Sequence, residues 1–279
     1  LLITTLALAL VASAAHAWGR EGHRTIGEIA RHYLTPEAEH EVAKLLQDGR
    51  YDDLGEVGNW ADAFSRLYAT FEDRSTHHYI DIHPDADTLD MARDCPPEGC
   101  IIGAINELRA ALADRSTPKW ERAEQFYFLV HFIEDIHQPL HVVHPDMTGG
   151  NETMVSFFGN RSRLHGVWDS GMIRRRLEDF DLEQAALPWD IGPWKQWAYE
   201  LRMAIDPEDA AAWSRDLTPE AWAIEAIEPS RGLTFDIAQE QELGEAYYEQ
   251  AMPYIEGQMQ KAAIRLAAVL NEVFASSGG

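Results

Sequence analysis

Cysteine, basic side chains and long apolar runs are all scarce in this 279-residue chain. The two cysteines, Cys95 and Cys100, are too few for a disulfide-dense scaffold. They enclose Pro-Pro-Glu-Gly, a loop tight enough to close as a disulfide in an oxidising compartment. Two lone thiolates with no second Cys or His pair nearby are weak grounds for a metal site. Lys and Arg together number 23 against 47 Asp and Glu, a formal charge of −24. That balance argues against gripping nucleic acid through a basic surface, because such binding relies on cationic side chains replacing phosphate counterions. A solvated acidic shell that keeps the chain soluble is the plainer reading. Beyond the first 17 residues no stretch is long and apolar enough to span a bilayer, which needs about 20 residues. No repeat, low-complexity tract or linker divides the chain, so a single domain is expected over residues 18–279.

Residues 1–17, LLITTLALALVASAAHA, end in Ala15-His16-Ala17, the small-x-small form that a signal peptidase accepts. A membrane anchor is the alternative, but the run is short for a span and lacks flanking charge. A cleaved export signal is therefore expected. The mature protein would begin at Trp18, work in the periplasm or outside the cell as a monomer, and form no stable association with a membrane.

Helical patterns dominate the chain from Trp18 onward. Residues 22–34 place Ile26, Ile29, Ala30, Tyr33 and Leu34 on one side, and Thr35-Pro36-Glu37 reads as the cap, first-turn proline and acidic start of a second helix to about Gln47. Residues 101–113 and 119–137 repeat the pattern, the latter ending before Pro139, whose ring removes a donor. Between Gly150 and His165 two short extended pieces around Gly159-Asn160 predict a small hairpin. A long helical stretch from about Phe235 to Phe274, with a bend near Pro253, completes a mainly helical, all-α reading.

Within this scaffold the metal-ligand residue types cluster. On the 119–137 helix His131 and Asp135 stand four residues apart, hence one above the other on the same face. Their neighbours Phe128, Leu129, Phe132, Ile133 and Ile136 would bury both polar groups unless something satisfies them. A hydrogen-bonded core pair and a metal site are both open for that couple alone. His141 just past the helix end, and His165 with Asp169 at the same spacing, tip the balance towards metal. A chain cut after Ala17 also offers its α-amino group at Trp18 beside His23, and Asp62, with His78 or His77, adds further candidates.

Taken together, Trp18-Gly19-x3-His23, Trp60-Ala61-Asp62, His78-Tyr79-Ile80-Asp81, His131-Phe132-Ile133-x-Asp135-x2-Gln138-Pro139-Leu140-His141, Gly149-Gly150-Asn151 and Leu164-His165-x-Val167-Trp168-Asp169 resemble the S1/P1 nuclease family. That family comprises three-zinc, single-strand-specific nucleases that share a helical scaffold with zinc-dependent phospholipase C. The resemblance implies three Zn2+. Asp62, His78, His131 and Asp135 would hold the first, and His141, His165 and Asp169 the second. Trp18, through its amino nitrogen and carbonyl oxygen, would join His23 and Asp135 on the third. His78 is favoured over His77 because the family's ligand immediately precedes an aromatic residue. His32, His40, His83, His137 and His144 match nothing and are expected at the surface or behind the ligands.

It further implies hydrolysis of phosphodiester bonds in single-stranded DNA and RNA to 5′-phosphorylated products, with 3′-nucleotidase activity left open. Zinc would acidify the attacking water and offset charge on the departing 3′ oxygen, so a protein nucleophile is not required. Asp62, Asp135 and Asp169 are the catalytic candidates, with Asp62 or Asp169 positioning the water. Tyr79, Asp81, Gly150 and Asn151 match positions that meet the nucleotide. Stacking on Tyr79 needs an unpaired base, though Tyr79 could equally be a core aromatic. Relatives often place an arginine three residues after the Trp-Ala-Asp aspartate, where this chain has Ser65 followed by Arg66. The alternatives are a phospholipase C, disfavoured by Asp169 where that enzyme usually has glutamate, and an exported protein that binds zinc without turnover.

Overall fold

The computed structural model describes residues 18–49, 51–64, 75–180 and 192–275. The expected export segment, Ser65 and Arg66 lie outside them. The helices are α1 (Arg20–Ala30), α2 (Pro36–Gly49), α3 (Leu54–Val57), α4 (Trp60–Phe64), α5 (Met91–Asp94), α6 (Ile101–Ala113), α7 (Lys119–Asp135), α8 (Leu164–Gly166), α9 (Met172–Leu177), α10 (Pro193–Ala204), α11 (Pro207–Trp213), α12 (Pro219–Ser230) and α13 (Glu245–Phe274). None of them is long and apolar enough to cross a membrane.

The bundle is organised around α7. Every residue from Phe126 to Asp135 is buried, and a helix enclosed on all sides belongs at the centre of a bundle. It packs against α2, α4, α6 and α13, while α1 lies against α3, α10 and α13. Phe126, Phe128 and Phe132 are fully enclosed; each such side chain contributes roughly 1.5–3 kcal/mol by leaving water. The cost of that centrality is that His131, Glu134 and Asp135 are enclosed as well.

Local signals explain most boundaries. Thr35 Oγ1 accepts from the Ala38 amide at 3.3 Å, capping α2. Beyond α7, Gln138 Oε1 takes the Leu140 amide at 2.7 Å and Pro139 opens a 3₁₀ turn, Pro139–His141, which swings His141 back towards the helix end. The disulfide Cys95–Cys100 closes as expected, immediately before α6.

The β structure differs from expectation in two ways. The hairpin of β1 (Met154–Phe157) and β2 (Asn160–Arg163) turns at Phe158-Gly159, with φ of 47° and 76°. This is the primed two-residue geometry that matches strand twist, so Asn160 already pairs in β2, opposite Phe157. The second difference is β3 (Gln241–Leu243), which pairs in parallel with β1 and makes the sheet three-stranded, in the order β2-β1-β3. It occupies chain expected to be helical, so the last helix begins at Glu245 rather than near Phe235. A three-residue strand has no periodicity of its own. Partners fix it, including the Phe158 amide donated to Leu243 O at 3.1 Å. Helix α13 runs on through Pro253 to Phe274.

Candidate metal centre

The end of α7 gathers side chains from five parts of the chain. His131 and Asp135 occupy one face, with His131 Nε2 at 3.0 Å from Asp135 Oδ2. His78, closing the 3₁₀ turn Ser75–His78, brings Nδ1 to 3.0 Å from the same oxygen and 2.9 Å from His131 Nε2. Helix α4 adds Asp62, whose Oδ1 lies 3.8 Å from His131 Nε2 and 4.0 Å from His78 Nδ1. From the 3₁₀ turn and α8, His141 and His165 bring their Nε2 atoms within 3.3 Å of each other, and Asp169 Oδ2 is 3.2 Å from His165 Nε2. Helix α1 delivers His23, with Nε2 at 3.6 Å from Asp135 Oδ1.

These atoms make three groups: His23, His131 and Asp135; Asp62, His78 and His131; His141, His165 and Asp169. Within each, the donor atoms all lie within 4.8 Å of one another. A tetrahedral zinc with bonds of about 2.0–2.1 Å spaces its donors about 3.3 Å apart, close to these separations. One facing pair of the protein's own groups is left unsatisfied. His23 Nε2 and Asp135 Oδ1 face each other across that gap, both buried and both without a hydrogen-bond partner. A divalent cation is the chemistry that such a donor set fits.

Main-chain carbonyls set the ring orientations. Nδ1 of His131 donates to Gly58 O at 2.6 Å, Nδ1 of His141 to His78 O at 2.7 Å, and Nδ1 of His165 to Gly149 O at 2.6 Å. Each leaves an Nε2 lone pair facing inward, the arrangement by which ligating histidines are aligned. Gly149 must be glycine for this. Its φ is +61°, and a Cβ there would sit 2.4 Å from Leu140 O and 3.1 Å from His165 Nδ1.

The electrostatics follow from burial opposed by charge. Burial holds His23 down to about 3 and His141 to about 4, so both are neutral, ligand-ready imidazoles at neutral pH. Burial would lower His131 too, but the carboxylates of Asp135 and Asp62 outweigh it and carry it to about 9. Burial pushes Asp169 up to about 6, with His165 and Gln138 opposing. Asp135 would also be raised by burial, but His131 and His78 hold it well below the usual carboxylate range.

The Trp18 end of the described chain is built into this centre. Trp18 is buried, its Nε1 donates to Glu134 O at 2.9 Å, and the Gly19 amide donates to Asp169 O at 2.6 Å. A Cβ on Gly19 would lie 2.2 Å from Ser170 Oγ, so the Trp-Gly pair suits a chain threaded against the turn Val167–Gly171 that follows α8.

Other candidates fall beside the cluster. His77 turns away, its Nε2 3.2 Å from Glu98 O of the disulfide loop. Segment 79–82 runs extended, with the Ile80 and Ile82 amides donating to His141 O and Val142 O. Alternation along it buries Ile80 and Ile82 and leaves Tyr79 and Asp81 on the other face. Tyr79 is 37 % exposed there, and burial together with Asp146 pushes Asp81 up to about 6. Gly150 is buried with φ +76°, and Asn151 spends an amide hydrogen inside its own loop, on Thr148 O at 2.8 Å. His137 and His144 are buried behind the centre, on Arg265 and Asp146 respectively. Two contributors had no role assigned from the sequence: Gln138, present in the motif, and Glu134. Gln138 Nε2 donates to Asp169 Oδ1 at 2.7 Å, and Glu134 Oε2 lies 2.5 Å from His23 Nδ1. A charged residue at a buried helical position was the available signal for Glu134.

Comparison with known proteins agrees with this geometry. The S1/P1 nuclease family pattern matches residues 18–275. The chain belongs to the S1/P1 nuclease family. It is similar to Nuclease P1 of Penicillium citrinum, 30% identical over 280 residues that cover 93% of this chain and 98% of that protein. Endonuclease 2 of Arabidopsis thaliana is 29% identical over 290 residues, 98% and 96% of the two chains. Nuclease S1 of Aspergillus oryzae is 29% identical over 281 residues, 96% and 94%. The family match thus covers almost everything after Ala17, and with it the mainly helical fold.

Proposed function

We propose that this family member is an exported endonuclease that hydrolyses single-stranded DNA and RNA to 5′-phosphorylated products with three zinc ions. The observation that carries the reading is the convergence of three donor groups on the end of one buried helix, with Asp135 offering an oxygen to each side. Asp62, His78, His131 and Asp135 would hold one ion, and His141, His165 and Asp169 a second. His23, Asp135 and the amino and carbonyl groups of Trp18 would hold a third. Bound zinc supplies an acidified water and neutralises charge on the phosphoryl group and its leaving oxygen.

The protein's own part is positional. Carbonyls of Gly58, His78 and Gly149 hold the Nδ1 hydrogens away from the cluster, so each ring turns its Nε2 towards it and offers a lone pair there in its neutral form. Asp62, half-buried at the rim, or Asp169, aligned by Gln138, would orient the attacking water. Tyr79 offers an exposed ring to an unpaired base, and Asp81 beside it an acceptor for the base edge. A base locked in a duplex offers no free face to such a ring, which gives single strands the advantage. Export fits a chain with a closed disulfide and no membrane-crossing helix among the described residues.

The test is to incubate zinc-loaded protein beginning at Trp18 with single-stranded DNA, RNA and phosphatidylcholine in parallel. Cleavage of both nucleic acids to 5′-phosphate ends, abolished by a chelator, is expected. Turnover of the lipid alone, or of nothing with zinc fully loaded, would overturn the proposal.

A further inference from the structure

His131, His141 and His165 each rest Nδ1 on a main-chain oxygen, but His23 does not. Its Nδ1 meets the carboxylate of Glu134 at 2.5 Å, with both side chains fully enclosed. Glu134 precedes Asp135 on α7, so its side chain leaves the helix about 100° around the axis from that of Asp135. It therefore reaches the back of the His23 ring. Its carbonyl also receives the Trp18 indole at 2.9 Å, so one residue braces both Trp18 and His23.

Packing does not account for this residue. Among the described residues no Lys or Arg pairs with Glu134, and its second oxygen Oε1 is buried without a hydrogen-bond partner. An enclosed carboxylate lacking a cationic partner destabilises a fold relative to a leucine of similar volume. Space has been kept for it nonetheless. A Cβ at Gly58 would lie 2.5 Å from Glu134 Oε2 and 3.1 Å from His23 Cβ.

We propose that Glu134 is a positioning residue for the third cation: it takes the Nδ1 hydrogen of His23, fixing the tautomer whose Nε2 lone pair points at Asp135 Oδ1. A carboxylate in that place also makes the opposite nitrogen a stronger donor to a metal. Glu134 makes no hydrogen bond to His78, His141, His165 or Asp169, so its influence falls on one cation and leaves the other two alone. The inference rests on the three-ion reading of the centre.

Glu134→Leu removes the acceptor at nearly constant volume, and Glu134→Gln keeps an uncharged acceptor oxygen. Zinc per chain is read by native mass spectrometry across a chelator series, and the His23 tautomer by nitrogen NMR of histidine-labelled protein. The wild type should hold three zincs. The leucine variant should lose the third with about 10–100-fold weaker affinity while keeping the other two, and its His23 tautomers should mix. The glutamine variant should fall between them and keep the wild-type tautomer, and it carries the test if the leucine variant does not fold. Third-zinc affinity equal to wild type in both variants overturns the proposal, as does parallel weakening of all three sites, which marks a merely structural role. A wild-type protein holding fewer than three zincs overturns the three-ion reading instead. The tautomer then decides on Glu134 by itself, an unchanged His23 signal in the leucine variant refuting it.

Discussion

Gly149→Ala isolates how much of the second donor group depends on one backbone approach, because Gly159 offers a matched control. Both glycines have positive φ, +61° and +76°, so alanine at either position adds a left-handed strain of about 1–2 kcal/mol. At Gly159 nothing lies within 4 Å of the added carbon, and strain is the whole effect. At Gly149 the carbon would stand 2.4 Å from Leu140 O, and a tolerable contact near 3.2 Å requires the strand of chain to move by roughly 0.8 Å. A shift of that size lengthens the 2.6 Å bond from His165 Nδ1 to Gly149 O towards the limit of a hydrogen bond. Losing it removes about 1 kcal/mol of bonding and frees the ring that carries Nε2. The expected result is a melting midpoint lowered in both variants, more so in Gly149→Ala. That variant alone should show the second zinc weakened by about tenfold or more in chelator competition. Equal zinc affinity in the two alanine variants would refute the argument that this glycine serves the centre.

Substitution of Asp81 tests the base-edge reading through pH. Its folded pKa stands near 6 against an ordinary 3.8, so the folded state holds the proton more tightly and stability falls as pH rises between those values. Asp81→Asn should abolish that fall in urea titrations, and should remove an inflection near pH 6 in KM for single-stranded DNA; an unchanged profile counts against the role. Replacing Cys95 and Cys100 by serine releases a short loop and should cost about 2 kcal/mol in chemical denaturation. It should also raise KM through the neighbouring Tyr79 strand, whose carbonyl receives the Ile101 amide; a KM equal to wild type would show that the loop does not support that strand. One residue left before Trp18 acylates the amino group, and such protein should bind two zincs firmly and the third weakly, with lower activity. Three zincs and equal turnover in both forms would exclude the amino group as a ligand.

The helical skeleton was legible because long amphipathic stretches and proline boundaries are local: α6 falls at 101–113 as its periodicity predicts, and α7 stops at Asp135, ahead of Pro139 and two residues short of the expected 137. The i,i+4 pairs were legible for the same reason, since helix geometry places His131 over Asp135 and His165 over Asp169. What could not be read depends on partners distant in sequence. Strand β3 exists because β1 lies beside it, and the Phe158-Gly159 turn follows from strand register rather than from the more obvious Gly-Asn pair. The roles of Glu134 and Gln138 were hidden because each acts on a residue 111 or 31 positions away, and neither carries a spacing rule. His77 and His78 could be told apart from sequence only by family resemblance, whereas in three dimensions the disulfide loop draws one of them away.

The main-chain oxygens behind three of the imidazoles bear on how this protein tolerates genetic drift. A carbonyl survives every amino-acid replacement, so no single codon change deletes the groups that orient His131, His141 and His165. Heritable damage at those points must come from bulk or backbone displacement, which favours small residues at 58 and 149. The bracing of His23 has no such protection, since one nucleotide change can erase a carboxylate. Among random variants that keep the ligands themselves, the second site should therefore fail chiefly through bulk at 149 or loss of the Gln138 amide, and the third through loss of one acidic side chain.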